Sequence, residues 1–157
     1  MRLFPRVMLF SLLVVTLSFR GAFAEESING VGSYRWNAAE SRYASGAYAT
    51  TQTMEITRLE KDFIAVSQNV TLVGGQNFAW NIESPLDGVL RHASTWMSFG
   101  FTRTGPNAIH NKYRMDDGQE GEETFIISPK KVVIEGHSLK DGKKQPYVEV
   151  WDRVEKK

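Results

Sequence analysis

Apolar side chains recur at every second position along most of the chain, the spacing of a half-buried strand and not of a helix. Met54 and Ile56 share a face within 51–57, and Ile64, Val66, Val70 and Leu72 share one within 63–72. Phe78, Trp80 and Ile82 align within 76–83, as do Met97, Phe99 and Phe101 within 95–103. Ile109, Tyr113 and Met115 follow, then Phe125 with Ile127, Val132 with Ile134, and Val148, Val150 and Val154. These runs are rich in β-branched and aromatic residues, which suit a pleated surface. Breakers separate them: Gly74-Gly75, Asp87-Gly88, Gly105-Pro106-Asn107, Asp117-Gly118, Ser128-Pro129 and Asp141-Gly142. With a first strand near 32–36, the pattern predicts an all-β chain of about eight to ten antiparallel strands, closed into a barrel or folded as a sandwich. One helical turn is expected over 37–41, where Asn37 can cap and Glu40 stands three residues on.

The N-terminus breaks this pattern. Arg2 and Arg6 flank a short basic start, 7–19 is almost wholly apolar, and Ala22-Phe23-Ala24 is a small-x-small cleavage triplet. The apolar run is shorter than the ~20 residues that cross a bilayer. The expectation is a signal peptide over 1–24 and a single domain over 25–157, free in the periplasm or secreted, with no membrane-crossing segment once cleaved. Cleavage would remove Arg2, Arg6 and Arg20, leaving sixteen basic side chains against 18 acidic ones, a balance of −2 in place of +1. No basic stripe of the kind nucleic-acid binding needs is visible, so a nucleic-acid partner is not expected. With no cysteine, stability must come from a packed core and not from disulfides.

Gly32-Ser33-Tyr34-Arg35-Trp36-Asn37, then Ser41-Arg42-Tyr43, resembles the opening of small exported bacterial proteins with a lipocalin-like, or calycin-like, barrel. The ending is similar too, with Ser128-Pro129-Lys130, a Lys140-Asp141-Gly142-Lys143 turn, and a last strand closing in Glu149-Val150-Trp151-Asp152-Arg153-Val154. The likeness spans most of the chain after 1–24, through short motifs that are mainly turn signals. It departs at Tyr34, where the family carries tryptophan; here the tryptophan stands two residues later, at Trp36. The resemblance implies an up-and-down barrel whose end is closed by Arg153 packing on Tyr34 or Trp36, a structural contact. Members of the family mostly lack an assigned activity, so the likeness bears on fold more than on function.

Candidate chemistry is sparse. His92, His110 and His137 are far apart, show no metal-ligand spacing and read as surface residues, so no metal is expected. Five acids crowd into 116–123 without the spacing of a calcium loop, and the segment reads as an exposed hairpin turn. No nucleophile elbow or phosphate loop occurs, so no catalytic residue and no cofactor is assigned. An enzyme would require several titratable groups gathered in one cleft with shifted pKa values. The aromatics concentrated in mid-chain, Phe78, Trp80, Phe99 and Tyr113, are either ordinary core or the apolar wall of a pocket. Gln68 and Asn111 fall on otherwise apolar faces, either as polar anchors for a ligand or as residues near strand ends. The expected function is non-covalent binding of a small apolar or amphipathic molecule. The alternative is a protein-interaction module of the cell envelope with a filled core and an exposed apolar patch around Trp96 and Trp151.

Overall fold

The computed structural model describes residues 30–94 and 96–155, so the expected signal peptide lies outside the described residues. Eleven strands follow in order: β1 (Gly32–Trp36), β2 (Arg42–Tyr43), β3 (Ala49–Leu59), β4 (Phe63–Leu72), β5 (Asn77–Pro85), β6 (Arg91–Ser94), β7 (Met97–Gly105), β8 (Ala108–Met115), β9 (Glu120–Ile127), β10 (Lys131–Lys140) and β11 (Lys143–Arg153). Ten of them form a continuous antiparallel path, β5-β4-β3-β1-β11-β10-β9-β8-β7-β6, and the short β2 pairs with β11. The path is an up-and-down meander curled into a nearly closed barrel, as the period-two pattern predicts. Closure comes from β1, which pairs with β3 on one side and with the last strand, β11, on the other. The turns form where the sequence signals them. At the β10–β11 hairpin Asp141 (φ 51°) and Gly142 (φ 69°) both take positive φ, the backbone of a two-residue type I′ turn.

Among the described residues β5 and β6 form no ladder. Side chains close that seam instead: Trp96 meets Phe78 and Trp80 edge to face, with centroids 6.3 and 6.2 Å apart. The expected helix over 37–41 is a turn only. Asn37 Oδ1 accepts from the Glu40 backbone N–H at 3.2 Å, and Asn37 Nδ2 donates to Glu40 Oε1 at 3.1 Å. Those are the bonds of a cap, but the chain passes directly into β2 and no helix propagates. No helix among the described residues is long and apolar enough to cross a membrane.

One barrel end is packed solid. Tyr34, Ile56, Ile64, Ile109, Ile127, Val132 and Trp151 fill it. Arg153 stands opposite Tyr34 in the β1–β11 register with its guanidinium 5.9 Å from the ring centroid. It also donates to the carbonyls of Pro129 and Val31, which ties the last strand to the chain entering the first. Tyr34 hydroxyl donates to Gly30 O at 2.7 Å. Arg153→Ala is expected to cost about 2 kcal/mol, from the lost ring contact and charge-assisted bonds. Urea unfolding measures it, and a cost below about 0.5 kcal/mol would show that this end holds without the arginine.

One strand is turned over relative to expectation. The sequence pattern puts Val148, Val150 and Val154 inward along the last run, whereas on β11 Tyr147, Glu149 and Trp151 face the interior. Val154 is 41% exposed. Val150 is buried from outside, because the 37–41 turn lies over it: Asn37 N–H donates to Val150 O at 2.7 Å, and Ser41 Oγ accepts from Val150 N–H at 2.9 Å.

Candidate ligand cavity

Above the packed end the barrel is hollow. A cavity of about 530 Å³ runs toward the end framed by the β1–β3 connection, the β4–β5 turn, the turns at Trp96 and Gln119 and the start of β11 at Gln145. Tyr48, Phe78 and Trp96 line it while remaining 43%, 41% and 36% exposed, which identifies the open mouth. The β1–β3 connection straps across that mouth. Ala44 N–H donates to Pro146 O on β11, and Val73 N–H in the β4–β5 turn donates to Tyr48 O, both at 3.1 Å.

All six residues singled out in the sequence, Gln68, Phe78, Trp80, Phe99, Asn111 and Tyr113, line this cavity. Gln68 and Asn111 sit in mid-strand, not at strand ends. Gln68 Nε2 donates to Gln52 Oε1 at 3.0 Å. Tyr34, Trp36 and Arg153 do not line the cavity. The three histidines also lie outside it, with His110 Nε2 4.0 Å from Glu122 on the outer wall. Trp151, expected within an exposed patch with Trp96, is fully buried. The interior is not filled.

Among the wall residues that the sequence analysis did not assign are two glutamates. Glu149 is 6% exposed and faces inward between Tyr147 and Trp151. Its Oε1 accepts from Tyr43 at 2.8 Å and Tyr48 at 3.1 Å, and its Oε2 accepts from Trp151 Nε1 at 3.2 Å. The strap exists in part to deliver those two tyrosines. Glu123, expected in an exposed acidic hairpin, belongs to β9, and its side chain lines the cavity. Its Oε1 accepts from Asn111 Nδ2 at 2.7 Å and its Oε2 from the Tyr147 hydroxyl at 2.6 Å. The tight turn at Asp117-Gly118 is as expected; the strand begins earlier than the acidic run suggests.

Two glycines make room for this arrangement. A Cβ at Gly136 would stand 2.7 Å from Glu123 Cβ and 2.9 Å from the Tyr147 hydroxyl, and one at Gly121 would strike the Tyr113 ring. Mid-strand glycine thus allows tyrosines to lean across the wall onto the carboxylate. The signal was present in sequence: Gly121, Glu123, Phe125 and Ile127 share one face, and Tyr147, Glu149 and Trp151 another.

Burial and then the charge of Glu123 push the Glu149 carboxyl up to about 7, against the pull of its tyrosine and tryptophan donors. Burial also raises Glu123, opposed by Tyr147 and Asn111. The phenols of Tyr43, Tyr48 and Tyr147 are raised by burial and then by the nearby carboxylates, so they stay protonated as donors. Among the described lining residues there is no lysine, arginine or histidine. Asn111, fully buried, spends its amide N–H on Glu123, and its Oδ1 has no partner. Among the described residues no set of three or more His, Asp or Glu side chains is grouped to hold a metal ion.

No family model and no curated protein matches the chain. Solved structures do. A single-residue variant of the fluorescent protein UnaG superposes with TM-score 0.55 at 16% identity, over 80% of this chain and 96% of that one. Wild-type UnaG gives 0.52 at 17% identity, over 79% and 96%. A redesigned β-barrel gives 0.53 at 10% identity, over 80% and 92%. At these identities the likeness shows fold alone, a nearly closed antiparallel β-barrel like theirs.

Proposed function

We propose that this protein is an exported binder of a small apolar or amphipathic molecule, held non-covalently inside the barrel. The observation that carries the reading is the cavity of about 530 Å³, walled by Phe78, Trp80, Phe99 and Tyr113 and open at one end. Pockets of that size, mostly apolar with a few placed polar groups, suit small-molecule binding. The signal-like segment at 1–24 supports delivery to the periplasm or the exterior. Ligand screening tests the reading. A hundredfold excess of ligand over its Kd is expected to add about 2.7 kcal/mol of stability and raise Tm by several degrees. Trp80 and Trp96 emission should change in the same titration. If a broad panel of lipids and other apolar compounds moves neither Tm nor emission, the binder reading fails.

A second reading has its own observation. Glu149, titrating near 7 beside Glu123, is the kind of perturbed pair that acid–base enzymes use. Binding is favoured because the described lining residues include no cation to stabilise a developing negative charge, and the wall's tyrosine hydroxyls are largely committed to the glutamates. Turnover of a bound compound, abolished by Glu149→Gln, would reverse that preference.

A further inference from the structure

We infer that the ligand is an organic cation, a protonated amine on an apolar body, with its ammonium against Glu123 and Glu149 and its body along the aromatic wall. The inference rests on the binder reading and adds the chemistry of the head group. Five donors, from Tyr43, Tyr48, Trp151, Asn111 and Tyr147, converge on these two carboxylates. Such bonds favour ionised carboxylates, yet no described basic side chain pairs with either glutamate. Two inward-facing anions, Glu149 buried and Glu123 half-buried, are costly without a countercharge, and a bound cation removes that cost.

Asn111 points the same way independently. Its amide nitrogen is fixed by the glutamate, so the atom left over is Oδ1, a buried acceptor without a donor. Glu123, Glu149 and Asn111 Oδ1 thus gather acceptors on one wall, which fits an N–H-bearing cation and opposes an anion. Tyr43, Tyr48, Tyr113 and Tyr147 line the same region, and aromatic rings attract cations. The groups facing the pair are those four tyrosines from the strap, β8 and β11, Asn111 from β8, Trp151 from β11, and Gln52 and Gln68 from β3 and β4.

The test compares n-decylamine, n-decanol and n-decanoate, titrated as monomers into the full-length protein at pH 8 by calorimetry. The amine is expected to bind about tenfold or more tighter than the alcohol, and decanoate weakest of the three. The Glu123→Gln/Glu149→Gln double variant should bring the amine-to-alcohol ratio close to unity. Should that variant not fold, the wild-type pH series decides. Between pH 8 and pH 5 the ratio should drop about tenfold or more as the carboxylates take up protons. Equal or tighter binding of decanol or decanoate, or a ratio indifferent to pH, overturns the cationic head group while leaving the apolar binder in place. Failure of all three to bind overturns both.

Discussion

Raising the pH from about 4.5 to about 7 is expected to destabilise the unliganded barrel, the reverse of ordinary acid denaturation. Glu149 carries the effect, because folding lifts its carboxyl from 4.5 to about 7. Within that window the folded state binds more protons than the unfolded one, so unfolding free energy falls as pH rises. Its contribution is fully present below about 4.5 and lost by about 7, a span of roughly 3 kcal/mol. Glu123 acts in the same direction. Glu149→Gln should flatten most of the profile and stabilise the protein at pH 8 by about 2 kcal/mol. The amide can satisfy its site: its oxygen accepts from Trp151 while its NH₂ turns to a tyrosine hydroxyl, which accepts as well as donates. Urea unfolding at pH 5 and pH 8, without ligand, measures both quantities. Stability that climbs between those values, or a variant with an unchanged slope, would contradict the buried carboxylate.

Trp151→Ala should cost about 3–5 kcal/mol, the range for removing a fully buried large aromatic. Trp151 has no solvent exposure, faces Trp36 in the β1–β11 register and supplies the donor to Glu149 Oε2. Val154→Ala, one residue past the end of that strand and 41% exposed, should stay within about 0.5 kcal/mol. The pair decides which face of β11 is inside. With the valines inward, as their β-branched alternation suggests, the two costs would exchange order. Denaturant midpoints at fixed pH read the difference, with near-ultraviolet circular dichroism to confirm that the alanine variant keeps its fold.

The reversed strand shows where reading by residue type runs out. β11 offers two period-two faces, valine-rich and Tyr-Glu-Trp, and a hydrophobicity scale prefers the valines. The barrel chooses the other because Trp36, Tyr43 and Tyr48 come from distant segments to meet Trp151 and Glu149. Of the valines, Val150 is covered by the 37–41 turn, while Val154 stays exposed. Glu123 was hidden for a related reason, since an acid in an acidic run reads as solvated unless its neighbours across the sheet are known. By contrast Gln68, Phe78, Trp80, Phe99, Asn111 and Tyr113 were legible as wall residues, each standing in phase with an apolar face.

Local periodicity and turn chemistry therefore determined the strands, their hairpins and the meander, because both act within a few residues of chain. The Arg153 contact with Tyr34 came from the family resemblance, and the folded barrel holds it. Only the tertiary structure decided that the interior is hollow at one end and that two carboxylates stand inside it. Closing a sheet brings together side chains far apart in sequence, and a buried charge depends on those partners for its donors and its countercharge.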